Sequence, residues 1–136
     1  MRVVLDTNVL VSAFLKPLSK PAKILRLILQ GNLEIIINEP IIYEYQEVLT
    51  RPKLQLDPFR VQTTLSVIRL TGIRAPALAK TFKLPDENDI PFLEAAVAAD
   101  ADVLITGNSR HFPEALCAGQ VVMTPSNFLE NFQSAY

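Results

Sequence analysis

The chain has 136 residues and one cysteine; 49% of its residues are hydrophobic, 20% are charged, and its formal net charge is −1. This length predicts one domain over residues 1–136, with a core that needs neither a disulfide nor a zinc ion. The composition excludes an intrinsically disordered chain. The net charge excludes an overall basic surface of the kind typical of nucleic-acid-binding proteins. RNA is not excluded as a substrate, because acidic residues gathered in one site would mask a basic rim elsewhere in the net charge.

Two features concern the compartment. Cys117 cannot form an internal disulfide, which suits a reducing compartment, and we expect it to be a small buried hydrophobe. Residues 1–15 superficially resemble a signal peptide, but Asp6 and Asn8 interrupt the apolar run and no small-residue cleavage site follows before Lys16. Since no stretch reaches the roughly 18–20 apolar residues that span a bilayer, we expect a cytoplasmic protein without membrane contact.

Hydrophobic periodicity predicts alternating strands and helices in the first half of the chain. The predicted elements are a strand over 2–5, helices over 8–15 and 21–30, a strand over 33–37 and a helix over 40–49. Pro17 and Gly31 favour the ends of the first two helices, and Asn38 is the predicted N-cap of the third.

The second half continues the alternation with shorter strands. Asp57 and Pro58 predict the start of a helix that runs to about residue 70 and is closed by Gly72, and the proline-containing stretch 73–88 is predicted to be mostly loop. The remaining elements are an alanine-rich helix over 91–99, a strand "DVLIT" at 102–106, a strand "VVM" at 121–123 and a final helix capped by Ser126, with Phe128, Leu129 and Phe132 on its apolar side. The pattern predicts an α/β fold class, a three-layer α/β/α arrangement around a central, mainly parallel sheet of about four to five strands.

Polar residues follow two of the predicted strands. Asp6 comes directly after the first strand, inside an aliphatic run, and Thr106 and Asn108 follow the strand in "LITGN". An ionised carboxylate removed from water is costly unless it has a partner, and ligands of parallel α/β sheets bind outside the carboxyl ends of the strands. These residues therefore predict a site at that edge.

Two further acids lie on the predicted helix 40–49. At about 100° per residue, Glu44 lies roughly 100° from the centre of the apolar face and Glu47 roughly 160° from it. Glu47 is therefore predicted to point into water. Glu44 is predicted to lie at the border between core and solvent, from which it can reach a cleft.

A third group of acids, Asp86, Glu87 and Asp89, precedes the apolar helix in "LPDENDIPFLEAA". Acids in this position are often simple helix caps, and that alternative stays open. Carboxylates that converge repel one another unless protons or cations neutralise them. Oxygen ligands without a cysteine or histidine cluster suit Mg²⁺ or Mn²⁺ rather than zinc, and such an ion supports hydrolysis of phosphodiesters. No glycine-rich phosphate loop is present, which argues against an NTPase.

Four stretches, "VVLDTNVLVSAFL", "EYQEVLTRPKL", "DENDIPFLEAA" and "VLITGNSRHFP", occur in the order and approximate spacing of the PIN-domain family. The chain resembles this family over nearly its whole length. It is most similar to the short, single-domain prokaryotic members described as toxin components of toxin–antitoxin pairs (VapC-like). The resemblance implies an Mg²⁺- or Mn²⁺-dependent endoribonuclease that cleaves single-stranded RNA or exposed loops, a possible antitoxin partner, and a homodimer or higher oligomer.

The resemblance also implies roles for single residues. Asp6, Glu44 and Asp89 match the catalytic, metal-binding acids, and Asn108 takes the fourth metal-ligand position. Asn108 is a departure, because many members have aspartate there: its carbonyl oxygen can bind a metal, but it brings no charge and cannot act as a base. The accessory candidates are Asn8, which with Thr7 matches the small polar residues after the first acid, together with Asp86 and Thr106.

The candidates for RNA contact are Arg51, Lys53 and Arg110. His111 is expected to be a surface or capping residue rather than a general base, because a metal-bound water needs no histidine. Either Tyr43 or Tyr45 could stack on bases, but one of them is expected in the core. The aliphatic helices 21–30 and 57–70 could supply a dimer face.

Three other functions compete with this interpretation. A catalytically weakened PIN domain that binds RNA or a protein partner is motivated by Asn108 and by the near-neutral charge. A phosphatase with Asp6 as nucleophile is disfavoured, because Asn8 stands where the second acid of those enzymes lies. A receiver-like signalling domain is disfavoured by the absence of the acid pair that it requires.

Overall fold

A computed structural model describes the backbone of residues 1–135 and the side chains of residues 1–132. The strands are β1 (Arg2–Leu5), β2 (Glu34–Ile37), β3 (Ile73–Arg74), β4 (Val103–Ile105) and β5 (Val122–Met123). The helices are α1 (Thr7–Leu15), α2 (Lys20–Leu29), α3 (Glu39–Leu49), α4 (Pro58–Thr71), α5 (Ile90–Ala98) and α6 (Pro125–Ala135). Short 3₁₀ turns lie at Pro52–Leu54, Glu87–Asp89, Ser109–His111 and Glu114–Leu116.

The five strands form one sheet in the order β3-β2-β1-β4-β5, and every neighbouring pair is parallel. Strand β1 is central, with Val3 opposite Val103 and Leu5 opposite Ile105. The chain runs outward from β1 through β2 to β3, and then returns to the other side of β1 with β4. The topological switch point, where such sheets bind ligands, therefore lies between the carboxyl ends of β1 and β4.

Helices cover both faces of the sheet. Consecutive residues of a strand point to opposite faces, and Val3, Val4 and Leu5 of β1 are all fully buried. Helix α5 packs across β1, β2 and β4, α4 packs against β2, and α6 packs against β4 and β5. The predicted fold class is confirmed: the protein is a three-layer α/β/α structure around a parallel sheet.

Local signals in the sequence explain several helix boundaries. The side chain of Asn38 accepts the backbone N–H of Ile41 at 2.8 Å at the start of α3, and that of Asp57 accepts the N–H of Phe59 at 3.0 Å at the start of α4. Both helices have a proline in their first turn. At the end of α4, a Cβ on Gly72 would lie 2.6 Å from the carbonyl oxygen of Ile68, so the close approach there requires glycine. The predicted N-cap Asn38, the predicted start of α4 at Asp57 and its predicted end at Gly72 are confirmed.

The second half of the chain adds one short strand and corrects one predicted cap. The stretch 73–88 is mostly loop, as predicted, but it also contains β3, whose two residues are too few to show a period of two. The final helix begins at Pro125, so Ser126 lies inside it. Thr124 caps it instead, accepting the N–H of Asn127 at 3.2 Å, because proline favours the first helical position.

Two further findings concern the cysteine and the character of the helices. The Cys117 side chain is buried, as predicted, and burial raises the pKa of its thiol. Within residues 1–135, no helix combines the length and the apolar character needed to cross a membrane.

Candidate metal centre

The carboxyl ends of β1 and β4 bring Asp6 and Thr106 together across 100 positions of sequence. The backbone N–H of Asp6 donates to the carbonyl of Ile105 at 2.9 Å, which extends the pairing of β1 with β4 by one residue. The Thr106 hydroxyl donates to Asp6 Oδ2 at 2.7 Å. Only 4% of Asp6 and 0% of Thr106 is exposed. The first predicted acid is thus almost out of water, and the Thr106 hydroxyl donates to it.

Burial raises the pKa of Asp6 to about 6, and the negative charge of Asp89 acts in the same direction. The hydrogen bonds from Thr106 and from the Thr7 backbone oppose this rise, because they stabilise the charged form. The charged form of a buried carboxylate is destabilised when no Lys or Arg pairs with it. Such a carboxylate therefore favours the binding of a cation.

Glu44 reaches the same edge from α3. It is half-buried, as the helical-wheel argument predicts, and its carboxylate accepts a hydrogen bond from the Thr7 hydroxyl. Burial raises the pKa of Glu44, and the charges of Asp6 and Asp86 add to the effect. Glu47 is exposed, as predicted.

Tyr45 fixes α3 against the end of β1. Its ring is fully buried against Phe92, and its hydroxyl donates to the carbonyl of Leu5, the residue before Asp6. Tyr45 is therefore the core tyrosine, whereas Tyr43 is 74% exposed. The sequence marked Tyr45 as apolar but gave no sign that its hydroxyl bonds to β1.

Asp89 lies at the end of the 3₁₀ turn Glu87–Asp89, with 8% of its surface exposed. Burial raises the pKa of Asp89, and the charge of Asp86 raises it further. Asp86 caps the turn, because its side chain accepts the N–H of Asn88 at 2.9 Å. The simple capping role that the sequence left open thus holds for Asp86, but not for Asp89, whose side chain makes no cap.

His111 was expected to be a surface or capping residue, and 41% of its side chain is exposed. The sequence did not predict its neighbour: its Nδ1 lies 3.0 Å from Oδ2 of Asp89. This Oδ2 is buried and accepts no well-aligned hydrogen bond, but the imidazole lies within ion-pair distance of it and lowers the pKa of Asp89. One signal could have found His111: it follows β4 closely, in the loop that leaves the same edge as Asp6.

The acids form one electrostatic group, but not one tight ligand set. Asp86, Asp89 and His111 place one candidate ligand atom each within 4.8 Å of one another, the only such trio of His, Cys, Asp or Glu in the described part of the chain. Asp6 and Glu44 lie outside this trio, although their charges interact with it.

The other predicted site residues support the loop after β4. The exposed Asn8 accepts the N–H of Gly107 at 3.1 Å through its side-chain oxygen, and a Cβ on Gly107 would lie 3.3 Å from that oxygen. The half-buried Asn108 donates its backbone N–H to the Thr106 hydroxyl at 3.1 Å. The side-chain oxygen of Asn8 is thus occupied by a hydrogen bond that positions the loop after β4.

The donor set fits a divalent cation. Three acids have raised pKa values, and within the described residues no Lys or Arg side chain pairs with Asp6, Glu44, Asp86 or Asp89. Asp89 Oδ2 is a buried anionic oxygen without a donor. Such a group is costly unless an ion or a proton neutralises it.

An open groove of ≈ 680 Å³ extends from Glu44 along α3. Its lining includes four glutamates, Glu39, Glu44, Glu47 and Glu87, together with Tyr43 and Arg51. Arg51, a candidate for RNA contact, pairs with Glu47 at 2.9 Å. Lys53 and Arg110, the other candidates, are exposed.

Comparisons with known proteins concern the fold and the family of the chain. A search of the curated proteins found no match. Among solved structures, a chain of VapBC2 from Rickettsia felis, crystallised with a DNA fragment from the promoter, has the same fold with a TM-score of 0.59 and 20% sequence identity. The superposition covers 91% of this chain and 98% of that one. The family model for the PIN domain matches residues 2–110, most of the sequence, and the chain therefore belongs to the PIN-domain family.

Proposed function

We propose that this protein is an Mg²⁺- or Mn²⁺-dependent endoribonuclease that hydrolyses phosphodiester bonds of RNA, and that it is the toxin component of a toxin–antitoxin pair. The observation that carries the proposal is the convergence of Asp6, Glu44 and Asp89 at the switch point of a PIN-domain sheet, all three with raised pKa values. A purely structural role would not favour three desolvated acids at one edge.

In this proposal Asp6, Glu44 and Asp89 hold the cation, and the side-chain oxygen of Asn108 is a fourth, uncharged ligand. When bound, a divalent cation would polarise the scissile phosphodiester and lower the pKa of water. The carboxylates must be ionised to bind it, so the raised pKa of Asp6, about 6, implies that a cation displaces its proton when binding occurs around or below that pH.

The residues around the ligands orient them. Thr106 and Thr7 each donate to one carboxylate, Asp6 and Glu44 respectively. Because each hydrogen bond restricts the rotation of its acceptor, the ligands are arranged before the ion arrives. Asp86 and Asn8 act as accessory residues that shape the neighbouring turn and loop.

RNA and protein partners would meet different surfaces. Lys53 and Arg110, with Arg51 once it leaves Glu47, are the proposed phosphate contacts. The acidic groove beside Glu44 would attract a basic segment of an antitoxin, and the fold shared with a chain of VapBC2 supports such a partner. Exposed apolar side chains on α2 and α4, including Leu29, Phe59 and Leu70, support a homodimer or higher oligomer.

The test combines metal titration with cleavage. Calorimetric titration of Mn²⁺ and Mg²⁺ into the wild type and Asp6→Asn would be run beside an assay with labelled single-stranded RNA, with and without EDTA. We expect binding and cleavage in the wild type, and loss of both in Asp6→Asn. Glu34→Gln is the matched control, because it removes an exposed carboxylate at the opposite, amino-terminal end of β2.

Asn108 favours one alternative function, a PIN domain that binds RNA or a protein without cutting. It supplies no charge at the fourth position, so the metal would be held by fewer anions. RNA binding that is unaffected by EDTA and by Asp6→Asn, without cleavage by the wild type, would contradict the nuclease proposal and support this alternative.

A further inference from the structure

We propose that His111 is a ligand of the cation at Asp89, and that its imidazole nitrogen makes the centre prefer Mn²⁺ to Mg²⁺. The inference deepens the proposed function, because it concerns the same cation. It differs from the all-oxygen set expected from the sequence, in which His111 had no part.

The separation between His111 Nδ1 and Asp89 Oδ2 is that of two ligands on one ion. Small divalent cations hold octahedral ligands at about 2.1 Å, which places neighbouring ligand atoms about 3 Å apart. The observed distance is 3.0 Å. Asp86 offers a third ligand atom within 4.8 Å of both, a span compatible with opposite or adjacent positions around the same ion.

Asp89 Oδ2 provides an independent indication of a missing partner. This oxygen is buried and accepts no hydrogen bond, although the imidazole nitrogen is close to it. The imidazole lies close enough to Asp89 to lower the pKa of its carboxyl group. A cation bound by the ring nitrogen and by Oδ2 would give this oxygen the partner that it lacks.

The loop holds His111 in place without help from Asp89. In the 3₁₀ turn Ser109–His111, the N–H of His111 donates to the carbonyl of Asn108 at 3.1 Å. Phe112, the next residue, is 3% exposed and belongs to the core. The backbone that carries the imidazole is therefore anchored on both sides, as a preformed ligand requires.

The choice of metal follows from ligand chemistry. Mg²⁺ takes oxygen ligands and water, so it gains little from an imidazole. Mn²⁺ accepts imidazole nitrogen more readily than Mg²⁺ does, and like Mg²⁺ it also suits carboxylate, carbonyl and water ligands. One nitrogen added to the oxygens of Asp86, Asp89 and their neighbours is thus suited to Mn²⁺.

The experiment detects the nitrogen directly. Pulsed electron paramagnetic resonance of Mn²⁺ added to the full chain reports hyperfine coupling to a ligand ¹⁴N nucleus. The matched variant is His111→Asn, whose amide can still donate a hydrogen bond to Asp89 but lacks the imidazole. Calorimetric titration of Mn²⁺ and Mg²⁺ into both proteins gives the two affinities, and circular dichroism checks that the variant is folded.

We expect an imidazole ¹⁴N coupling in the wild type that is absent in His111→Asn. The Mn²⁺ affinity should fall by at least about tenfold in the variant, while the Mg²⁺ affinity changes much less. Mn²⁺ binding by the wild type without ¹⁴N coupling would overturn the inference and leave the nuclease proposal intact. A wild type that binds neither ion would overturn both.

Discussion

Replacing Asp6 by asparagine removes a negative charge that the fold holds almost out of water, since only 4% of the residue is exposed. Burial raises the pKa of Asp6 from its ordinary value of 3.8 to about 6. In the absence of metal, ionised Asp6 therefore opposes folding, and Asp6→Asn should stabilise the protein at neutral pH. Asparagine retains an oxygen that can accept the Thr106 hydroxyl.

The magnitude follows from the linkage between proton binding and folding. At 1.36 kcal/mol for each pKa unit, a rise from 3.8 to about 6 corresponds to about 3 kcal/mol. The folded pKa lies above the unfolded one, so the stabilising effect of the proton is complete below pH 4 and is lost as pH rises through about 6. Asp6→Asn should therefore gain about 3 kcal/mol at pH 8 and close to nothing at pH 4, apart from general effects of the substitution.

The assay is urea denaturation of the wild type, Asp6→Asn and the control Glu34→Gln in EDTA, at several values between pH 4 and pH 8. In thermal unfolding, the same gain at pH 8 corresponds to an increase in Tm of roughly 10 °C. Mn²⁺ at 1,000 times its Kd should reverse the order, because it stabilises the wild type by about 4.1 kcal/mol, more than the variant's gain of about 3 kcal/mol, and does not bind the variant.

A variant that is less stable than the wild type at pH 8 in EDTA would refute the argument that desolvation dominates at Asp6. A gain that is independent of pH would also refute it, because it would arise from packing or hydrogen bonding and not from ionisation.

Three other predictions follow from the same geometry. Thr7→Val keeps the shape of a buried side chain but removes the donor to Glu44, so calorimetry should show Mn²⁺ affinity weakened by about tenfold. Tyr45→Phe leaves the Leu5 carbonyl without its donor and should cost about 1–3 kcal/mol in urea denaturation, while Tyr43→Phe, at an exposed position, should stay within about 0.5 kcal/mol of the wild type. Mn²⁺ affinity of the wild type should fall by about tenfold for each pH unit below 6, as a proton competes for Asp6; a flat profile between pH 5 and pH 6 would contradict the assignment of Asp6 as a ligand.

Several features of this protein were readable from local sequence, because short-range physics decides them. Aliphatic runs that are buried on both faces specified β1 and β2, and the caps Asn38 and Asp57 form bonds only two or three residues away. The position of Glu44 at the border of α3 followed from helical geometry alone. The sequence also determined that Asp6 ends a buried strand, and so that it needs a partner.

The tertiary structure decided the contacts that join distant parts of the chain. The bond from Thr106 to Asp6, the bond from Tyr45 to Leu5 and the approach of His111 to Asp89 depend on the order of strands in the sheet and on the path of the loop after β4. Neither periodicity nor propensity carries this information, because residues that lie far apart in sequence meet only after the layers have packed. The sequence therefore indicated which acids are candidates for a cation site, whereas only the packed sheet decided that a histidine lies beside one of them.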